Sequence, residues 1–167
     1  MALTLSLAVS GCAHLLEPES IIASGPEYSQ SIFGGAGDDV GLDMEVIQDD
    51  GSLVVGYTNS RSLGDYDAWV VTLSQDGQQS GEYSFGGPGD DFAAAVTRTY
   101  AGALIVAGEK ENPLTATADA WVFGLTQRGT LLWEKTFGNN GNDRATDIAA
   151  TTDGGLMVLG SSSHGEN

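Results

Sequence analysis

The stretch "FGGPGDDF" occupies Phe85–Phe92. Fifty-two residues earlier the chain reads "FGGAGDDV", from Phe33 to Val40, and fifty-two residues later "FGNNGNDR", from Phe137 to Arg144. No gap is needed to bring the rest into line. "SLVVGYT" (Ser52–Thr58) aligns with "LIVAGEK" (Leu104–Lys110) and "LMVLGSS" (Leu156–Ser162). "DAWVVTLSQDG" (Asp67–Gly77) aligns with "DAWVFGLTQRG" (Asp119–Gly129), which keeps Trp69 and Trp121 in register with the glycines. An interval of this size marks a repeat whose unit is one supersecondary element.

Each unit reads as four short strands. In the first unit Val40, Leu42, Met44 and Val46 alternate, which predicts a strand over about Val40–Gln48 with one buried face. "DDG" at Asp49–Gly51 is a turn signal. The second strand covers about Ser52–Thr58, and its continuous apolar centre predicts burial on both faces. A polar loop, Asn59–Asp67, leads to a third strand over about Ala68–Ser74 that carries the tryptophan. "QDG" makes the next turn. A fourth strand over about Gln79–Phe85 runs into the Phe-Gly-Gly corner. There is no 3.6-residue apolar period to indicate helices. The expectation is an all-β, propeller-like array of four-stranded antiparallel blades, with Trp69, Trp121 and the second strands forming the core between blades.

The array is incomplete. Units 33–84 and 85–136 are whole, and unit 137–167 has only its first two strands. "YSQSIF" (Tyr28–Phe33) resembles an orphan fourth strand. Closed propellers hold typically four to eight blades. The remaining blades are therefore expected from a longer chain or from other copies.

The phrase Gly34-Gly35, Gly37, Asp38-Asp39, Gly56, Asp67, Trp69 resembles bacterial propeller-type repeats. So does its second copy: Gly86-Gly87, Gly89, Asp90-Asp91, Gly108, Asp119, Trp121, Gly129, Trp133, Phe137. The third copy retains Asp153-Gly154-Gly155 and Gly160. In length the unit is similar to kelch repeats, but the double glycine stands before the first strand. The resemblance implies a fold and no single activity.

The chain has 167 residues, 23 acidic and 6 basic, for a net charge of −17. That balance excludes phosphate-backbone binding to nucleic acid and docking on anionic lipid. The N-terminal run "ALTLSLAVSG" is too short to span a bilayer and has the length of a signal-peptide core. It ends in "LAVSGC", which resembles a bacterial lipobox. The resemblance implies a signal peptide over 1–11, lipid attachment at Cys12, the only cysteine, and a tether over 12–27. The partial propeller would then fill 28–167. No Lys or Arg stands near Met1, a departure from such signals. A multiply acylated cysteine anchors stably where a single chain does not. The expected location is the extracytoplasmic side of a bacterial cell envelope, at the outer membrane or cell surface.

No catalytic, cofactor-binding or metal-binding residue is assigned. His14 and His164 fall outside the repeated positions. No nucleophile, base and orienter stand out together, and no His/Cys cluster suits a transition metal. Trp69 and Trp121 recur as packing residues. "GGAGDD" invites comparison with calcium-binding nonapeptides, but copies a full repeat apart cannot stack as those do. Asp38, Asp39, Asp90, Asp91 and Asp143 are read instead as corner residues that hydrogen-bond their own backbone. Glu134 and Lys135, after Trp133, are read as solvated edge charges. The expectation is a non-catalytic binding or scaffold module for a protein or glycan ligand. The alternatives are a fragment of a larger enzyme or sensor, and a calcium-stabilised repeat protein.

Overall fold

The computed structural model describes residues 3–6, 28–47, 51–62 and 65–163, and these contain strands and turns but no helix. The first sheet holds β3 (Asp39–Ile47), β4 (Gly51–Thr58), β5 (Asp67–Leu73) and β6 (Gln79–Phe85). The second holds β7 (Asp91–Arg98), β8 (Leu104–Asn112), β9 (Thr117–Leu125) and β10 (Leu131–Phe137). Each is a meander of sequential antiparallel neighbours. A third sheet contains only β11 (Asp143–Ala150) and β12 (Leu156–Ser162) among the described residues. The repeat is therefore a four-stranded sheet, and no described sheet closes on itself.

The register repeats with the sequence. Gly56 lies opposite Trp69, and Gly108 opposite Trp121. The first strand of every unit is irregular at one place, between Gly41 and Asp43, Ala93 and Ala95, and Ala145 and Asp147. Just before it, the carbonyl oxygens of Val40, Phe92 and Arg144 approach Gly56, Gly108 and Gly160. A Cβ there would stand 1.8, 1.9 and 2.1 Å from them. Only glycine allows the second strand to pass so close to a neighbouring backbone.

Packing between sheets follows one rule. The face of the first sheet formed by Ile47, Leu53, Val55, Ala68 and Val70 packs on Ala93, Val96, Val106, Trp121 and Phe123 of the second. One repeat further on, Ile105, Ala107 and Val122 pack on Ala145 and Ile148 of the third. Trp69, Val71 and Leu73 face the other way and are covered by Phe33. Phe33 thus does for Trp69 what Phe85, its equivalent, does for the second sheet.

Trp69 and Trp121 are each 1% exposed, and the indole N–H of each is satisfied by a glutamate of the neighbouring fourth strand. Trp69 Nε1 donates to Glu82 Oε1 at 3.0 Å, and Trp121 Nε1 to Glu134 Oε2 at 2.9 Å. Glu134 also pairs with Lys110 at 2.9 Å, and the Lys110 ammonium lies 4.6 Å from the Trp121 ring centroid. Glu134 is an exposed charge on the edge strand, as read from the sequence, and it also anchors the core indole, because a buried N–H needs an acceptor.

Two expectations change. Leu42, Met44 and Val46 are exposed, since no described sheet packs on the front of β3. Their counterparts behave differently: Val96 and Ile148, equivalent to Met44, are buried against the preceding sheet. Tyr28–Ser31 forms β2, but it pairs in parallel with β1 (Leu3–Ser6) rather than closing an antiparallel sheet. No third strand stands on that side among the described residues to receive it.

Replacing Trp121 by Ala is expected to cost about 3–5 kcal/mol in urea unfolding. Glu134→Ala, which orphans the indole N–H, is expected to cost about 1–2 kcal/mol. Lys135→Ala should stay within about 0.5 kcal/mol of the parent chain. Equal effects of Glu134→Ala and Lys135→Ala would refute the anchoring role.

Candidate functional site: the corners between sheets

The corner that links one sheet to the next is built from the GGxGDD phrase. Its second aspartate turns back on its own loop. Asp39 Oδ2 accepts from the Gly35 N–H, Asp91 Oδ2 from Gly87 and Asp143 Oδ2 from Asn139, each at 2.7 Å. Asp91 Oδ1 also accepts from Glu111 N–H at 3.0 Å, and Asp39 accepts from the Thr58 hydroxyl. The first aspartate binds across the seam. Asp90 Oδ1 accepts from Tyr66 N–H at 3.1 Å, and Asn142 Oδ1, its equivalent, from Ala118 N–H at 2.9 Å. An acceptor suffices for that bond, which is why the third copy tolerates Asn.

The double glycine divides the same way. A Cβ on Gly86 would lie 2.1 Å from Asp67 Oδ1 and 2.4 Å from Asp91 Oδ2. On Gly138 it would lie 2.0 Å from Asp119 Oδ1 and 2.9 Å from Asp143 Oδ2. Two carboxylates therefore close on the bare face of the first glycine: one from the Asp-x-Trp strand of the sheet before, one from the sheet after. The second glycine, Gly87, has nothing within 4 Å of an added Cβ. Its third-unit counterpart is Asn139, which supplies only an N–H.

Asp67 and Asp91 are buried. Burial, the largest influence, lifts the Asp91 carboxyl from 3.8 to about 6; the Gly87 and Glu111 amides and Lys110 oppose the rise, and Asp67 adds to it. Burial also pushes Glu109 upward against the pull of Arg144. Among the described residues no three His, Cys, Asp or Glu side chains are grouped to hold a metal ion. Asp39, Asp91 and Asp143 accept from amides of their own loop, as read from the sequence, whereas Asp90 accepts from the Tyr66 amide of the preceding sheet and Asp38 from the Tyr66 hydroxyl.

Beside the corners, the two seams carry different chemistry at equivalent positions. Tyr57 meets Phe92 edge-on with ring centroids 4.9 Å apart, and Tyr66 completes an aromatic trio. At the equivalent positions of the next seam Arg144 Nε lies 2.6 Å from Glu109 Oε2. On the opposite rim a cleft of about 430 Å³ opens between the first two sheets. Ser52, Thr72, Ser80, Tyr83, Gln127 and Arg128 line it. Cys12 and the tether residues 12–27 lie outside the described residues, as does His164; His14 falls within the tether. Sequence reading missed the pairing of Asp67 with Asp91. Its one signal was the recurrence of Asp-x-Trp at the interval of the Gly-Asp-Asp phrase.

No protein-family model and no curated protein matches the chain. The fold defines an all-β repeat chain of antiparallel sheets joined through acidic glycine corners.

Gly86→Ala is expected to destabilise the chain by about 1–3 kcal/mol through overpacking, whereas Gly87→Ala should be close to neutral in the same thermal melts. Equal melting points for the two variants would refute the assigned asymmetry. A second expectation concerns pH. The Asp91 carboxyl holds its proton more tightly folded than unfolded. Its contribution to stability is full below the unfolded value and is lost as pH rises through about 6. The melting point of Asp91→Asn relative to the parent should therefore rise between about pH 4.5 and about pH 7.5, whatever fixed cost the amide brings. A constant difference would show that Asp91 does not titrate in this range.

Proposed function

We propose that the sheets are blades of a propeller-type array, and that the chain is a non-catalytic binding or scaffold module held by a lipid on Cys12 at the outer face of a bacterial envelope. The observation that carries the binding role is the contrast between core and rim. Positions that seat one sheet on the next recur in every unit, whereas the links between second and third strands do not. The first unit crosses from Thr58 to Asp67, and the second only from Asn112 to Thr117. The second link carries Leu114 at its tip, 93% exposed, and Ala116 at a φ of +52°. A scaffold that stays fixed while its loops vary is suited to recognition. The ligand is a protein or a glycan. The half-buried trio Tyr57, Tyr66 and Phe92 offers ring faces for stacking. The cleft over Tyr83 offers hydroxyls, an amide and one guanidinium, and its volume lies in the range of small-ligand sites. Further blades, from a longer chain or other copies, complete the array.

The anchor is tested by expressing the chain in a bacterial host with radiolabelled palmitate. The label is expected in the parent chain and absent from Cys12→Ala, with the parent in the membrane fraction. Label that survives the substitution, or never appears, overturns the localisation.

A further inference from the structure

The cleft over Tyr83 lies between two sheets of the repeat, yet the repeat does not account for its lining. Ser52, Thr72, Ser80 and Tyr83 bring four hydroxyls to it. At the equivalent positions of the second unit stand Leu104, Gly124, Leu132 and Lys135. The pairing beneath the cleft is exchanged too. In the second sheet Trp133 pairs with Gly124, and a Cβ on Gly124 would stand 2.4 Å from its Nε1. In the first sheet the same pair is Gly81 with Thr72. A glycine thus takes the place of the indole, and the cleft opens beside it. Its walls are held in place. Ser80 Oγ donates to Thr72 Oγ1 at 3.0 Å. The Tyr83 ring stacks on Phe85 at 6.3 Å and lies against Gly129, where a Cβ would stand 2.4 Å from Cε2. The one charge in the lining is Arg128, in the turn between β9 and β10. Its equivalent, Asp76, closes its own turn by accepting from the Ser74 hydroxyl. In the second turn the Thr126 hydroxyl accepts from the Thr130 N–H at 3.1 Å, so that turn does not use Arg128. Arg61, Lys110 and Arg144 each pair with a glutamate, whereas Arg128 has no ion pair among the described residues. None of the described residues lining the cleft is acidic, in a chain with 23 acidic residues.

We propose that this cleft receives an acidic sugar of the hexuronate type, with its carboxylate on Arg128 and its hydroxyls on the serine, threonine and glutamine side chains. A guanidinium fork matches a carboxylate bidentately, and such charge-assisted bonds are the strong ones. Hydroxyls both donate and accept, which suits the adjacent hydroxyls of a sugar ring. The Tyr83 ring offers an apolar face with a polar tip. The carboxylate of a peptide would suit Arg128 equally. Its apolar neighbours would leave the hydroxyls of the cleft desolvated and unpaired, which is costly. The net charge of −17 disfavours anions at long range, but exposed charges beyond about 8 Å are largely screened at physiological salt. The nearest charge then decides, and in the lining it is Arg128. The inference rests on the glycan form of the binding role proposed above and not on the lipid anchor.

The test titrates the full chain with D-glucuronate, with its neutral counterpart D-glucose and with acetate, and follows backbone amides by NMR. Glucuronate is expected to shift the amides of Ser80–Tyr83 and Gln127–Gly129 saturably, and to bind at least about tenfold more tightly than glucose. Arg128→Gln should bring the two sugars to about equal affinity, and Ser80→Ala should weaken both alike. Both side chains are exposed, so both variants should melt with the parent chain. The proposal is overturned if glucuronate gives no saturable shift, if glucose binds equally, or if the preference survives in Arg128→Gln. Acetate that shifts the same amides at the same concentrations also overturns it, as a simple carboxylate contact only. Sugar-induced shifts centred on Tyr57, Tyr66 and Phe92 would overturn it while leaving the glycan-binding role standing. Palmitate labelling of Cys12 is indifferent to all these outcomes, so loss of this inference and loss of the anchor are told apart.

Discussion

The structure depends on the burial of one sheet face by the next sheet. A single four-stranded sheet of this chain has apolar residues on both sides and no layer of its own to cover them. Trp121 shows the consequence: its ring becomes dry only because Leu53, Val55 and Val70 of the preceding unit lie against its sheet. Repetition at a fixed interval is the simplest solution, since one interface design then serves every seam. Where no described neighbour follows, the same residue types are wet, as Leu42, Met44, Met157 and Leu159 are.

The corner makes this stacking specific. Apolar faces alone would slide. The aspartate pair on Gly86 or Gly138 fixes where one sheet's third strand meets the next sheet's first. The design carries an electrostatic cost, since like charges approach in a buried place and Asp91 is lifted toward neutrality. Backbone amides of Gly87 and Glu111 offset part of that cost. The exchange of Tyr57–Phe92 for Glu109–Arg144 at equivalent positions gives each seam its own partner chemistry.

Much of the fold was legible in the sequence. The strand limits of the first unit lie within a residue or two of the predicted ones, because apolar runs, glycine turns and the tryptophan register agree with one another. The corner role of the aspartates was legible too, from short loops rich in Gly and Asp. Glu82 and Glu134 were not, because a glutamate one strand and one turn away from its tryptophan has no local signature. The two meet only when the third and fourth strands pair. The exposed alternation in β3 was misread for a related reason. A period of two states which residues share a face, not whether anything covers it.

The order of amino acids alone was enough to define the unit: its length, its four strands and which residues share a face. These follow from periodicity and turn chemistry, which act over a few residues. Stacking of the sheets was needed to settle which faces are dry, which carboxylates meet, and which of two adjacent glycines is indispensable. Those outcomes rest on the approach of groups from different sheets, and that approach exists only once the sheets have come together.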